Sequence, residues 1–150
     1  MGPMATGRAA RALRLVLAIS AVFNLVGAVI LFAAPQRMIG LFGLTLDDTS
    51  VFLCSLLGAC SLGFAALSAV AALRPYPAAL AAAVSPNVVF NAATVVVGIV
   101  VFTRGFSPLV WANIGIHLIL ALAIAAAGLA FRRAVRATQG GSATRSAGPV

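Results

Sequence analysis

Twelve formally charged side chains divide this chain of 150 residues into four long uncharged intervals. They hold 22 residues between Arg14 and Arg37, 25 between Asp48 and Arg74, 29 between Arg74 and Arg104, and 27 between Arg104 and Arg132. A helix needs roughly 20 apolar residues to cross a hydrocarbon core of about 30 Å, so every interval is long enough. Only 8% of the residues are charged and 63% are hydrophobic, whereas a soluble domain devotes about a quarter of its residues to charge. The spacing predicts an all-α polytopic membrane protein with four transmembrane helices in an antiparallel bundle. The expected spans are about 13–34, 50–73, 79–103 and 109–131 within a membrane domain at 13–137. A basic tail at 1–12 precedes it, and a polar tail at 138–150, expected to be disordered, follows.

The ten basic residues are all arginine, the two acidic ones are aspartate, and the net charge is +8. In a soluble protein that excess would suggest nucleic acid. Here the arginines flank apolar runs without an aromatic-interleaved basic face, so the expected partner is membrane lipid and no nucleic acid. Eight arginines fall in the N-terminal tail, the second loop and the C-terminal region, against two in the first and third loops. By the positive-inside rule both termini are expected in the cytoplasm. The lack of lysine removes any Schiff-base or phosphate-loop lysine chemistry. An N-terminal secretory signal cleaved after Ala33-Ala34 is the competing reading of the first run, but about 20 apolar residues exceed the usual 7 to 15.

The segment from Pro35 to Ser50 is too apolar for a free aqueous loop and is expected to lie in the interface. Asp47, Asp48, Thr49 and Ser50 have the composition of a helix N-terminus; a cation site on the two carboxylates is the alternative, and it lacks further oxygen ligands. Arg74-Pro75-Tyr76-Pro77 predicts a tight turn. Gly105, Ser107 and Pro108 predict a helix stop and a capped restart, with Trp111 at headgroup depth. Cys54 and Cys60 are six residues apart, roughly 240° around a helix. They therefore face different ways, as small apolar residues rather than as a redox pair.

Polar residues inside the spans are the candidates for function. Asn87, Asn91, Thr94 and Gly98 form one stripe of the third span, and Asn113 and His117 lie four apart on the fourth. Counting about 1.5 Å per residue from the cytoplasmic ends puts Asn24 at roughly 16 Å, Ser61 and Asn91 at roughly 18 Å and His117 at roughly 21 Å. Asn24, Ser61, Asn91 and His117 should thus share one layer, with Asn87 below and Asn113 above. The residues leave three readings open: cross-helix hydrogen bonding that fixes register, a cavity for a hydrophobic ligand with polar handles, and a proton relay through His117. A lone histidine without carboxylate or thiolate partners makes neither a bis-histidine haem site nor a metal site. No cofactor, metal or catalytic residue is therefore expected, and no nucleophile beside a base is visible.

The pattern Pro35-x-Arg37-Met38-x-x-Leu41-Phe42-Gly43-Leu44, followed by Leu57-Gly58-Ala59-Cys60-x-x-Gly63, resembles the DoxX-like small four-helix membrane proteins, over about residues 15–131. The resemblance implies four spans in an inner membrane and, for some members, association with membrane redox complexes. This chain departs from the better-known members in lacking their charged residues near the first helix, which speaks against a quinone-linked role. Two functions are expected in turn. The first is an accessory subunit or homo-oligomer without catalytic machinery, associating through small residues: Gly58 and Gly63 on the second span, Ala121, Ala125 and Gly128 on the fourth. The second is intramembrane binding, with or without enzymatic conversion, of a lipid or isoprenoid-like ligand at Asn24, Ser61, Asn87, Asn91, Thr94, Asn113 and His117. A packed midplane favours the first, and an elongated cavity ending on His117 favours the second.

Overall fold

The computed structural model describes residues 3–41, 45, 47–74, 76–102 and 108–143. These residues form α1 (Pro3–Ala33), α2 (Pro35–Leu41), α3 (Asp48–Leu73), α4 (Pro77–Phe102) and α5 (Pro108–Ala143), with no strand among them. The four long helices are each long and apolar enough to cross a membrane. Their outward faces suit lipid: Leu15, Val22, Val100 and Ile119 are all more than half exposed.

Prolines set most helix starts. Pro35, Pro77 and Pro108 each open a helix, where the missing N–H is no loss and the fixed φ is already helical. Ala34 interrupts α1 and α2 for a single residue, but its carbonyl accepts from the Met38 amide at 3.1 Å, so the two helices join without a loop. Much of the apolar stretch after the first span is thus a short helix. The expected stop and cap at 103–107, and Phe42, Gly43, Leu44 and Leu46, lie outside the described residues.

Asp47 caps α3, its Oδ1 accepting from the Ser50 amide at 2.7 Å. Hydrogen bonding by Ser50, through its side chain and then its amide, holds the Asp47 carboxyl below its ordinary 3.8. At the other end of α3, Arg14 donates from Nη2 to the Arg74 carbonyl at 3.2 Å, placing a cation at the negative end of the helix dipole. An arginine read from sequence only as a headgroup contact therefore also ties α1 to α3.

Helix runs into both tails. Helix α1 begins at Pro3, within the expected basic tail, and α5 continues to Ala143, past the expected start of the disordered tail at 138. Arg, Ala and Gln are good helix formers, and Thr138 returns its hydroxyl to the Val135 carbonyl at 2.7 Å. The residues from 144 on lie outside the described chain.

Helix α1 packs on α3 and α5, and α4 packs on α5, while α3 and α4 touch far less. The apolar core sits at one end, where Leu13 and Leu17 of α1 meet Ala71 of α3, Leu80, Ala83 and Val84 of α4, and Ile124 and Phe131 of α5. Three glycines bring neighbours close. A Cβ at Gly128 would fall 2.7 Å from Val84 Cγ1, one at Gly98 2.6 Å from Ile114 Cγ1, and one at Gly58 3.3 Å from Leu31 Cβ. Gly128 and the buried Ala121 are thus occupied inside the bundle. The small-residue face expected to join the fourth span to a partner is largely used by the chain itself.

Candidate ligand-binding site

Above that core the helices hold two polar clusters and then a cavity. The first cluster centres on Asn87, fully buried on α4. Its Oδ1 accepts from Ser68 Oγ of α3 at 2.8 Å and from Ser20 Oγ of α1 at 3.2 Å. Its Nδ2 donates to the Ala83 carbonyl at 2.9 Å, one turn back. Asn24 joins from above, giving Nδ2 to the Ser20 carbonyl at 2.8 Å and to Ser20 Oγ at 3.2 Å. Three helices are thus tied through one amide, just after Pro86, which lies inside α4 and cannot donate to the carbonyl four residues before it.

The second cluster lies one turn further along α4. Asn91 donates Nδ2 to the Asn87 carbonyl at 2.8 Å, which leaves Oδ1 facing His117 Nδ1 on α5, also at 2.8 Å. Since that amide oxygen can only accept, His117 Nδ1 carries the proton. No carboxylate lines the site to balance an imidazolium, so the ring is neutral and its Nε2 keeps a lone pair. Three phenylalanines frame it: Phe23 edge-on with centroids 5.2 Å apart, Phe90 edge-on at 6.2 Å, and Phe64 stacked on Phe90 at 4.2 Å across the α3–α4 seam.

Beyond His117 the bundle opens into a cavity of about 400 Å³, within the range of small-molecule sites. Phe23, Asn24, Gly27 and Leu31 of α1 line it, with Leu57 and Ser61 of α3, Phe90, Ala93, Thr94, Val97 and Gly98 of α4, and Val110, Asn113, Ile114 and His117 of α5. Met38 and Ile39 of α2 line it as well. Leu57 of α3 and Val97 of α4 border it while being about half exposed. Gly27 leaves room, since a Cβ there would meet nothing within 4 Å.

Of the seven residues singled out from sequence, Asn24, Ser61, Thr94, Asn113 and His117 line this cavity. Asn87 and Asn91 do not: Asn87 holds helices together, and Asn91 orients His117. Thr94 spends its hydroxyl on the Phe90 carbonyl at 2.9 Å. Asn24, read at the depth of His117, does reach the same cavity but is anchored through Ser20. The aromatic frame and the lining residues of α2 are not identified from sequence. A signal existed for the rings, because Phe23 and Phe90 each directly precede an intramembrane asparagine.

Compared with known protein families, curated proteins and solved structures, the chain matches none.

Proposed function

We propose that this protein is a four-span bundle of an inner membrane that binds an apolar small molecule of lipid or isoprenoid type in its central cavity. One observation carries the reading: the bundle is not packed at the level of His117 but leaves a partly open, mostly apolar space of about 400 Å³ bordered by that residue. A chain needing polar residues only for register would fill that space, because an unfilled apolar cavity forfeits dispersion contacts on all its walls. Entry from the bilayer past the half-exposed Leu57 and Val97 suits a ligand that partitions into lipid.

In this reading the helices run antiparallel, a register supported by the paired approaches of Val84 to Gly128 and of Gly98 to Ile114. The arginine asymmetry supports cytoplasmic termini. Association with a membrane protein or a second copy is a compatible role for α3. Its Ala59, Cys60 and Gly63 are exposed, and a Cβ at Gly63 would meet nothing within 4 Å. Solvent extraction of protein purified in a mild detergent tests the binding reading. One apolar small molecule per chain is expected, and its absence from repeated preparations would overturn the reading.

A further inference from the structure

The hydrogen-bond directions around the cavity specify what the ligand's polar end must be. Asn24 gives Nδ2 to the carbonyl and the Oγ of Ser20, and its Oδ1 can only accept. The N–H of His117 is spent on Asn91, leaving Nε2, which also can only accept. Neither atom is bonded among the described residues. The only sealed, unpartnered side-chain nitrogen or oxygen among them is Arg14 Nε. Asn24 Oδ1 and His117 Nε2 therefore border open space, and the space their residues line is the cavity. Ser61, buried and lining the same cavity, has no hydrogen bond among the described residues, and its hydroxyl can donate or accept.

We infer that the cavity selects an uncharged lipophilic alcohol, whose hydroxyl donates its one proton to His117 Nε2 and accepts from Ser61. This deepens the binding reading above and rests on it. A ketone, aldehyde or ether offers only acceptors, so it leaves His117 Nε2 without a partner in an apolar site, which is the costly case. An ammonium ion could donate, but no carboxylate lines the cavity to balance it. A size follows as well: since an engineered cavity of about 150 Å³ holds benzene, about 400 Å³ admits a body of about sixteen carbons.

The test uses the full-length protein in nanodiscs of phosphatidylcholine, a lipid without a hydroxyl group. Farnesol, farnesyl methyl ether and farnesal are titrated as mole fractions of the lipid. Farnesol should bind about tenfold more tightly than the other two, and His117→Phe should bring the three close together while all still bind. The chain has a single histidine, so ¹⁵N-histidine NMR of the wild type reports the same chemistry without a variant. The expected spectrum has a protonated Nδ1 and an unprotonated Nε2 whose signal moves with farnesol and not with the ether. An ether or aldehyde bound as tightly as the alcohol, or a protonated Nε2, overturns the alcohol inference and leaves the cavity reading standing. Failure of all three probes to bind overturns both.

Discussion

Asn87 and Asn91 are one turn apart on α4 and alike in chemistry, and the structure gives them different work. Replacing each with leucine, which has the same branching, is bulkier at both buried sites alike and cannot hydrogen-bond, should separate those roles. Asn87→Leu removes two interhelical bonds, from Ser68 at 2.8 Å and from Ser20 at 3.2 Å. The second is longer than the usual range for O–H···O bonds. Interhelical bonds in membranes contribute about 0.6 kcal/mol on average and about 1.7 at most. The freed serine hydroxyls can turn onto carbonyls of their own helices, so the loss should be about 1 kcal/mol. Asn91→Leu removes one interhelical bond, to His117, and should cost about 0.6 kcal/mol. It also frees the imidazole to change tautomer, so Nε2 is no longer held as an acceptor. Unfolding in mixed micelles, followed by far-UV circular dichroism as the fraction of dodecyl sulfate rises, measures the first effect. The ratio of farnesol to farnesyl methyl ether affinity measures the second. Asn87→Leu should be the less stable variant with its alcohol preference intact, and Asn91→Leu should lose most of that preference. Equal loss of preference in both would refute the division into a binding layer and a packing layer.

Other consequences can be checked as directly. Gly128→Ala should destabilise the bundle by about 1 to 3 kcal/mol through overpacking, because the new methyl meets Val84, whose β-branched side chain has few rotamers to retreat into. Gly63→Ala, with open space around it, should be neutral or slightly stabilising in the same unfolding assay. Asp47→Ala should fray the first turn of α3, seen as faster amide exchange at Ser50 and Val51 above pH 4, where the wild-type carboxylate is ionised. Because the folded-state value is lowered, the ionised cap's contribution is complete above the unfolded value and fades as pH falls through the folded one. An advantage of wild type over Asp47→Asn should fade over that same interval, and an advantage constant across it would contradict the assignment.

The four long apolar helices were legible because a charge in hydrocarbon is costly, so the gaps between arginines and aspartates delimit them almost by themselves. The helix starts at Pro77 and Pro108 fell within two residues of expectation, since proline favours a first turn. The short helix Pro35–Leu41 was read only as an interfacial segment, because its few residues carry too little periodicity to separate helix from apolar loop. Asn24, Ser61 and His117 line one cavity, and counting the constant helical rise is what groups them in the sequence. The direction of each hydrogen bond was not readable, because it depends on which carbonyl, hydroxyl or ring each side chain reaches in three dimensions. That is why Asn87 and Asn91 were grouped with the cavity from sequence, and why the internal use of Gly128 could not be told from an outward-facing stripe.

The central claim is that the space beside His117 holds a ligand. Gly27→Leu tests it with little disturbance, since the added side chain starts where nothing lies within 4 Å and its residue lines the cavity. Native mass spectrometry of both proteins, purified identically from membranes in mild detergent, should show a small-molecule adduct on the wild type. The adduct should be absent from a Gly27→Leu variant that keeps wild-type helicity. An adduct retained equally by both, or seen on neither, would contradict the account.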